Sequence, residues 1–102
     1  MIAVRAALME ARRLCSSTGQ WFPGMDKPDS QFIAFMIAGA DRDDKLVNKM
    51  MTVVRSALPT PYESCIEYAI YPKRTQAQVV AVFDRAIRLA TIAIKREGKT
   101  HD

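Results

Sequence analysis

The side chains able to carry chemistry are few: two cysteines, one histidine and eleven carboxylates. Cys15 and Cys65 lack CxxC spacing, and the lone histidine, His101, stands next to the C-terminus. That pattern excludes a zinc site. A Cys–His nucleophile pair would need His101 ordered inside a pocket, a poor role for a residue in a polar tail. Both cysteines fall in apolar surroundings, where free buried thiols in a reducing compartment are the expected state.

The carboxylates offer one cluster, Asp41, Asp43 and Asp44, that looks at first like a metal-binding group. It lies beside Arg42 and Lys45, which favours ordinary ionised acids over a shared-proton dyad. Asp41 is also placed to cap a following helix, with Asp43 and Asp44 in the positive first turn. The four glycines, at 19, 24, 39 and 98, are scattered and build no phosphate loop. No cofactor and no catalytic residue is expected, and the chain reads as a non-enzyme.

These residues must be positioned by helices. The clearest one spans Thr75 to Arg96, where Val79, Val82, Phe83, Ala86, Ile87, Leu89, Ala90, Ala93 and Ile94 form a wide apolar arc. Asp84, Arg88, Thr91 and Lys95 make a narrow polar stripe, with Asp84 and Arg88 spaced as an i, i+4 pair. Thr75 and Gln78 have the T-x-x-Q spacing of a capping box. The tail Gly98 to Asp102 is expected to fray.

Earlier in the chain, Ile2 to Ser16 predicts a helix buried through Val4, Ala7, Leu8, Ala11, Leu14 and Cys15. Arg12 and Arg13 near its end complement the negative helix terminus. Ser17 to Ser30 is rich in Pro, Gly and turn formers and predicts a long loop carrying Trp21, Phe22 and Met25. Ser30 is placed to cap a short helix, Gln31 to Ala38, apolar nearly all round and closed by Gly39. A third helix follows from about Arg42 to Leu58, stopped by Pro59 and Pro61. Tyr62 to Tyr71 places Tyr62, Cys65, Ile66, Ala69 and Ile70 on one helical face, although its β-branched and aromatic content tolerates a strand; helix is the preferred reading. The sum is an all-α fold, one domain over residues 1–102, a compact bundle of four to five helices around the long C-terminal one.

Composition sets the wider bounds. Hydrophobic residues make up 49% of the chain and charged residues 25%, which suits a folded globular protein. No stretch approaches the roughly 20 apolar residues of a membrane span, and no signal-peptide core stands at the start, so a cytoplasmic location is expected. The net charge of +4 and pI near 9.3 admit nucleic acid as a partner. Lys73, Arg74, Arg85, Arg88, Lys95 and Arg96 are the candidate contacts. The outline of a helix–turn–helix at Gly39 is countered by Asp41, Asp43 and Asp44, which would repel DNA from the second helix.

Three stretches, LMEARRLCSSTGQW, FMIAGA and PKRTQAQVVAVFDRAIRLA, together resemble a family of small uncharacterised bacterial and phage proteins. Trp21, Gly39, Ala40, Arg74, Thr75, Val79, Asp84, Ala86 and Ile87 carry the likeness. Ala69, Ile70 and Tyr71 stand where that pattern has an Asn-Asp pair. The resemblance implies a bacterial or phage setting and supplies no catalytic residue. Taken with the absence of chemistry and with the cluster Trp21, Phe22, Met25, Phe32, Phe35 and Met36, the expected function is a non-catalytic protein-binding module, a phage- or mobile-element-encoded modulator of a host complex. Trp21, Phe22 and Met25 are its expected contacts. The alternative is a small nucleic-acid-binding protein using the last helix, and a homodimer is compatible with either.

Overall fold

The computed structural model describes residues 1–17, 31–59, 68 and 75–100. Among them are four helices and no strand: α1 (Ile2–Ser17), α2 (Gln31–Gly39), α3 (Asp44–Ala57) and α4 (Gln76–Thr100). The expected all-α bundle with a long C-terminal helix is the observed fold. The segment 62–71, read as a helix, lies outside the described residues except for Tyr68, which has helical backbone and is buried.

α4 is the longest element, about 37 Å at the usual 1.5 Å rise per residue. Its start is fixed by the capping box: the Gln78 amide donates to Thr75 Oγ1 at 3.2 Å and the Thr75 amide donates to Gln78 Oε1 at 3.0 Å. At the other end the helical backbone is described through Thr100. α1 and α4 run antiparallel in a register that two polar links reveal. Arg5 Nε donates to Thr91 Oγ1 at 2.9 Å, and Arg12 Nε donates to Asp84 Oδ1. Each helix advances seven residues between the links, two turns, so both contacts recur on one face.

The core is built from one face of every helix. Val4, Leu8, Ala11 and Cys15 of α1 meet Val79, Val82, Phe83 and Ala86 of α4, while Val47, Met50 and Val54 of α3 close the other flank. Phe32 sits at its centre, its ring edge-on to Phe83 at 5.0 Å and to Tyr68 at 6.1 Å between centroids. Such pairs add about 0.5–1.5 kcal/mol beyond their area burial. The Tyr68 hydroxyl donates to the Gln78 carbonyl at 3.2 Å, which satisfies a polar group inside this layer.

The link between α2 and α3 departs from the sequence expectation. Gly39 was expected to end α2 as a left-handed cap, but it is the last helical residue, and its function is steric. A Cβ there would stand 2.6 Å from the Ala7 carbonyl oxygen and 2.9 Å from the Ala11 nitrogen of α1. The left-handed positions fall on Asp41 (φ 52°) and Arg42 (φ 63°). The Arg42 amide donates to Ile37 O at 3.0 Å and the Asp41 amide to Ala38 O at 3.1 Å, the paired bonds of a Schellman closure. The cap of α3 is therefore Asp43 rather than Asp41: its carboxylate accepts from the Lys45 and Leu46 amides. The helix begins two residues later than the sequence suggested because residues 41 and 42 are spent reversing the chain.

Candidate functional site

The sequence put its sharpest site around Trp21, Phe22 and Met25, and these lie outside the described residues, as do Lys73, Arg74, Cys65 and His101. Part of the argument for that site is corrected. Phe32 and Met36, counted among surplus surface side chains, are fully buried, and Phe35 is half-buried against the core. α2 is apolar because it fills the bundle, leaving Ala34 and Ala38 exposed.

Three charge assignments also change. Asp84 does not pair with Arg88 along α4; it accepts from Arg12 across the seam to α1. Arg13 pairs with Glu10 one turn earlier on α1, and this hydrogen bond holds the Glu10 carboxyl below its ordinary range. Neither arginine lies in the last turn of α1, so the expected match to that helix terminus is not made. Arg85, expected to be free, donates through Nη1 to the Ala57 carbonyl at 3.1 Å and thereby closes the C-terminal end of α3.

Two depressions open among the described residues. The first, about 350 Å³, is walled by Ser16, Gln76, Ala77, Val80, Ala81 and Asp84. Its polar groups are already engaged: Ser16 Oγ donates to the Arg12 carbonyl at 3.0 Å, the Gln76 side-chain amide donates to the Cys15 carbonyl, and Asp84 holds Arg12. Beneath it, Cys15 is fully buried, and burial pushes its thiol up to about 11 against a smaller opposing pull from Arg12. The thiol is therefore protonated at neutral pH and is no nucleophile. No group of three metal-ligating side chains occurs among the described residues.

The second depression differs in kind. Met1, Thr52, Val53, Ser56 and Leu89 line a groove of about 280 Å³, and an adjoining hollow of about 300 Å³ adds Val4 and Lys49. Its apolar walls remain in contact with water, with Met1 42% exposed and Leu89 37% exposed. Ile92, one turn beyond Leu89, is 42% exposed. α3 and α4 run antiparallel along this groove, since Arg85 reaches Ala57 while Leu89, four residues later in α4, lines the groove with Val53, four residues earlier in α3.

Sequence reading placed Leu89 in the core and left Ile92 unremarked. The signal was present in the helical period. Ile92 stands about 200° round from the buried Ala90, on the outward side, and Leu89 stands about 100° from it, on the flank. The participation of Met1 and Lys49 was not readable, because it depends on how α1 and α3 meet.

Compared with known protein families, curated proteins and solved structures, the chain matches none. No helix among the described residues is long and apolar enough to cross a membrane.

Proposed function

We propose that this chain is a non-catalytic protein-binding module whose docking surface is the groove between Met1, Val53 and Leu89, continued by Ile92. The observation that carries the reading is the exposure of three large apolar side chains, Met1, Leu89 and Ile92, at and beside a concave surface. Single exposed apolar residues are ordinary, whereas apolar groups gathered along a groove are what a partner covers. Covering the exposed part of each contributes roughly 1 kcal/mol. Three such anchors alone give only millimolar association, so rim contacts must add to them and the complex is transient rather than obligate. A module of this kind suits the modulator of a host complex that the sequence leads one to expect.

The test is selection of helical peptides from a display library against the folded chain, with the Leu89→Asp variant as the counter-target. Leu89 is exposed enough for the variant to fold, which circular dichroism checks. Binders that lose affinity on the variant support the reading; recovery of none, or of binders indifferent to Leu89, sinks it.

A second reading, nucleic-acid binding along α4, rests on a separate observation. Arg85, Arg88, Lys95 and Arg96 are exposed on this helix, with no carboxylate between residues 85 and 96. Arg88 and Lys95, two turns apart, make no ion pair among the described residues. Three phosphate contacts would give log K against log salt a slope near −3. Titration of labelled duplex at two salt concentrations measures it, and salt-independent or undetectable binding at micromolar protein removes this reading.

A further inference from the structure

We infer that the partner segment seated in the groove is an amphipathic helix bearing carboxylates on both edges of its apolar stripe. This rests on the groove reading above and specifies what the groove takes. The two walls are antiparallel helices with a shallow apolar floor between them, the shape into which a third helix lays an i, i+3/i+4, i+7 stripe. An extended strand would find no open sheet edge here.

The charge around the groove selects the sign of the partner. On the α3 side Lys49 lines the hollow, and Lys45 stands one turn before it on the same face. On the α4 side Arg88 and Lys95 stand one turn before and one turn after the exposed Ile92. None of these four cations makes an ion pair among the described residues. No carboxylate occurs between Lys45 and Ser56 or between Arg85 and Arg96. The acids of these two helices lie outside those runs: Asp44 before Lys45, Asp84 before Arg85 and held by Arg12, and Glu97 after Arg96.

A field of one sign beside an apolar groove steers in a partner of the opposite sign and repels its own kind. The same rule disfavours a second copy of this chain at the groove, because it would bring the same cations with it. A nucleic acid matches the charge but leaves Leu89, Ile92 and Met1 without an apolar counterpart. An anionic bilayer matches both features in principle, yet the anchors lie partly within a concave surface that a flat lipid face reaches poorly.

The experiment uses the full chain and a display library of helical 20-residue peptides with Leu at spaced anchor positions and every flanking position randomised. Vesicles of phosphatidylglycerol and phosphatidylcholine and a labelled duplex serve as parallel probes. The expected result is binders enriched in Asp and Glu at the flanks. They should weaken about tenfold on Lys49→Glu combined with Arg88→Glu, the effect of losing two exposed ion pairs. Binders that depend on Leu89 but are neutral or basic overturn the acidic-helix inference and leave the groove standing. Absence of any Leu89-dependent binder overturns both. Tighter binding to the vesicles or the duplex than to every peptide shows that the partner is not a protein helix.

Discussion

Arg12 of α1 and Asp84 of α4 form an ion pair between residues 72 positions apart in sequence. It fixes, with Arg5 and Thr91, the register of the two longest helices. It also takes the single carboxylate of the polar stripe out of play, so the outer side of α4 is left positive. One contact thus links the packing of the bundle to the character of its surface.

Asp84→Asn should lower stability by about 0.2–1 kcal/mol, the range for a pair whose side chains are about two-fifths exposed. Urea denaturation of D84N, R12Q and the double variant measures the coupling. A coupling energy of zero would mean that this pair does not hold the register, which then rests on the Arg5–Thr91 link and apolar packing.

Gly39→Ala should destabilise although alanine is the better helix former by about 1 kcal/mol. The new methyl group would meet the Ala7 carbonyl and the Ala11 nitrogen, both backbone atoms that cannot swing aside. Separating α1 from α2 costs about 1–3 kcal/mol as overpacking. An unchanged or raised urea midpoint would show that the two helices are not in the close contact described.

Asp41→Gly should do the opposite. Asp41 holds a left-handed backbone at the Schellman position, where a side chain is strained by about 1–2 kcal/mol. Glycine relieves that strain, at the cost of greater freedom in the unfolded chain. The net expectation is a gain of up to about 1 kcal/mol, read as a higher melting temperature, whereas a lower one would contradict the turn geometry.

Cys15 gives a pH-dependent outcome. Its thiol titrates from an ordinary 9.0 to about 11 in the folded chain. Below about pH 9 both states carry the proton and the stability is fully present. Between about 9 and 11 the unfolded chain loses its proton first, so stability falls as pH rises. Wild type should therefore lose more stability over that window than Cys15→Ala. In a Cys65→Ser background, Cys15 should also resist alkylation at pH 8 until denaturant is added; rapid labelling of the folded protein would contradict its burial.

The long helices were legible because their apolar period and caps are local: the Thr75–Gln78 box and the core positions Val79, Phe83, Ala86 and Ala90 stand where the spacing put them. Features set by tertiary contact were not. Asp84 could be matched to Arg88 from spacing, but its choice of Arg12 depends on the antiparallel register. Gly39 read as a cap because sequence shows a glycine after an apolar run and cannot show the backbone of α1 behind it. Leu89 read as core because the arc was drawn too wide on the side where α3 leaves it partly open.

The central claim, that the groove beside Leu89 is the docking surface, is tested most directly by amide chemical-shift mapping. The ¹⁵N-labelled chain is titrated with the best acidic helical peptide from the selection. Shifts concentrated at Lys49, Thr52, Val53, Leu89 and Ile92, with Ser16, Gln76 and Ala81 unmoved, are the predicted result. Shifts centred on the Ser16–Gln76 depression, or spread without a focus, would contradict it.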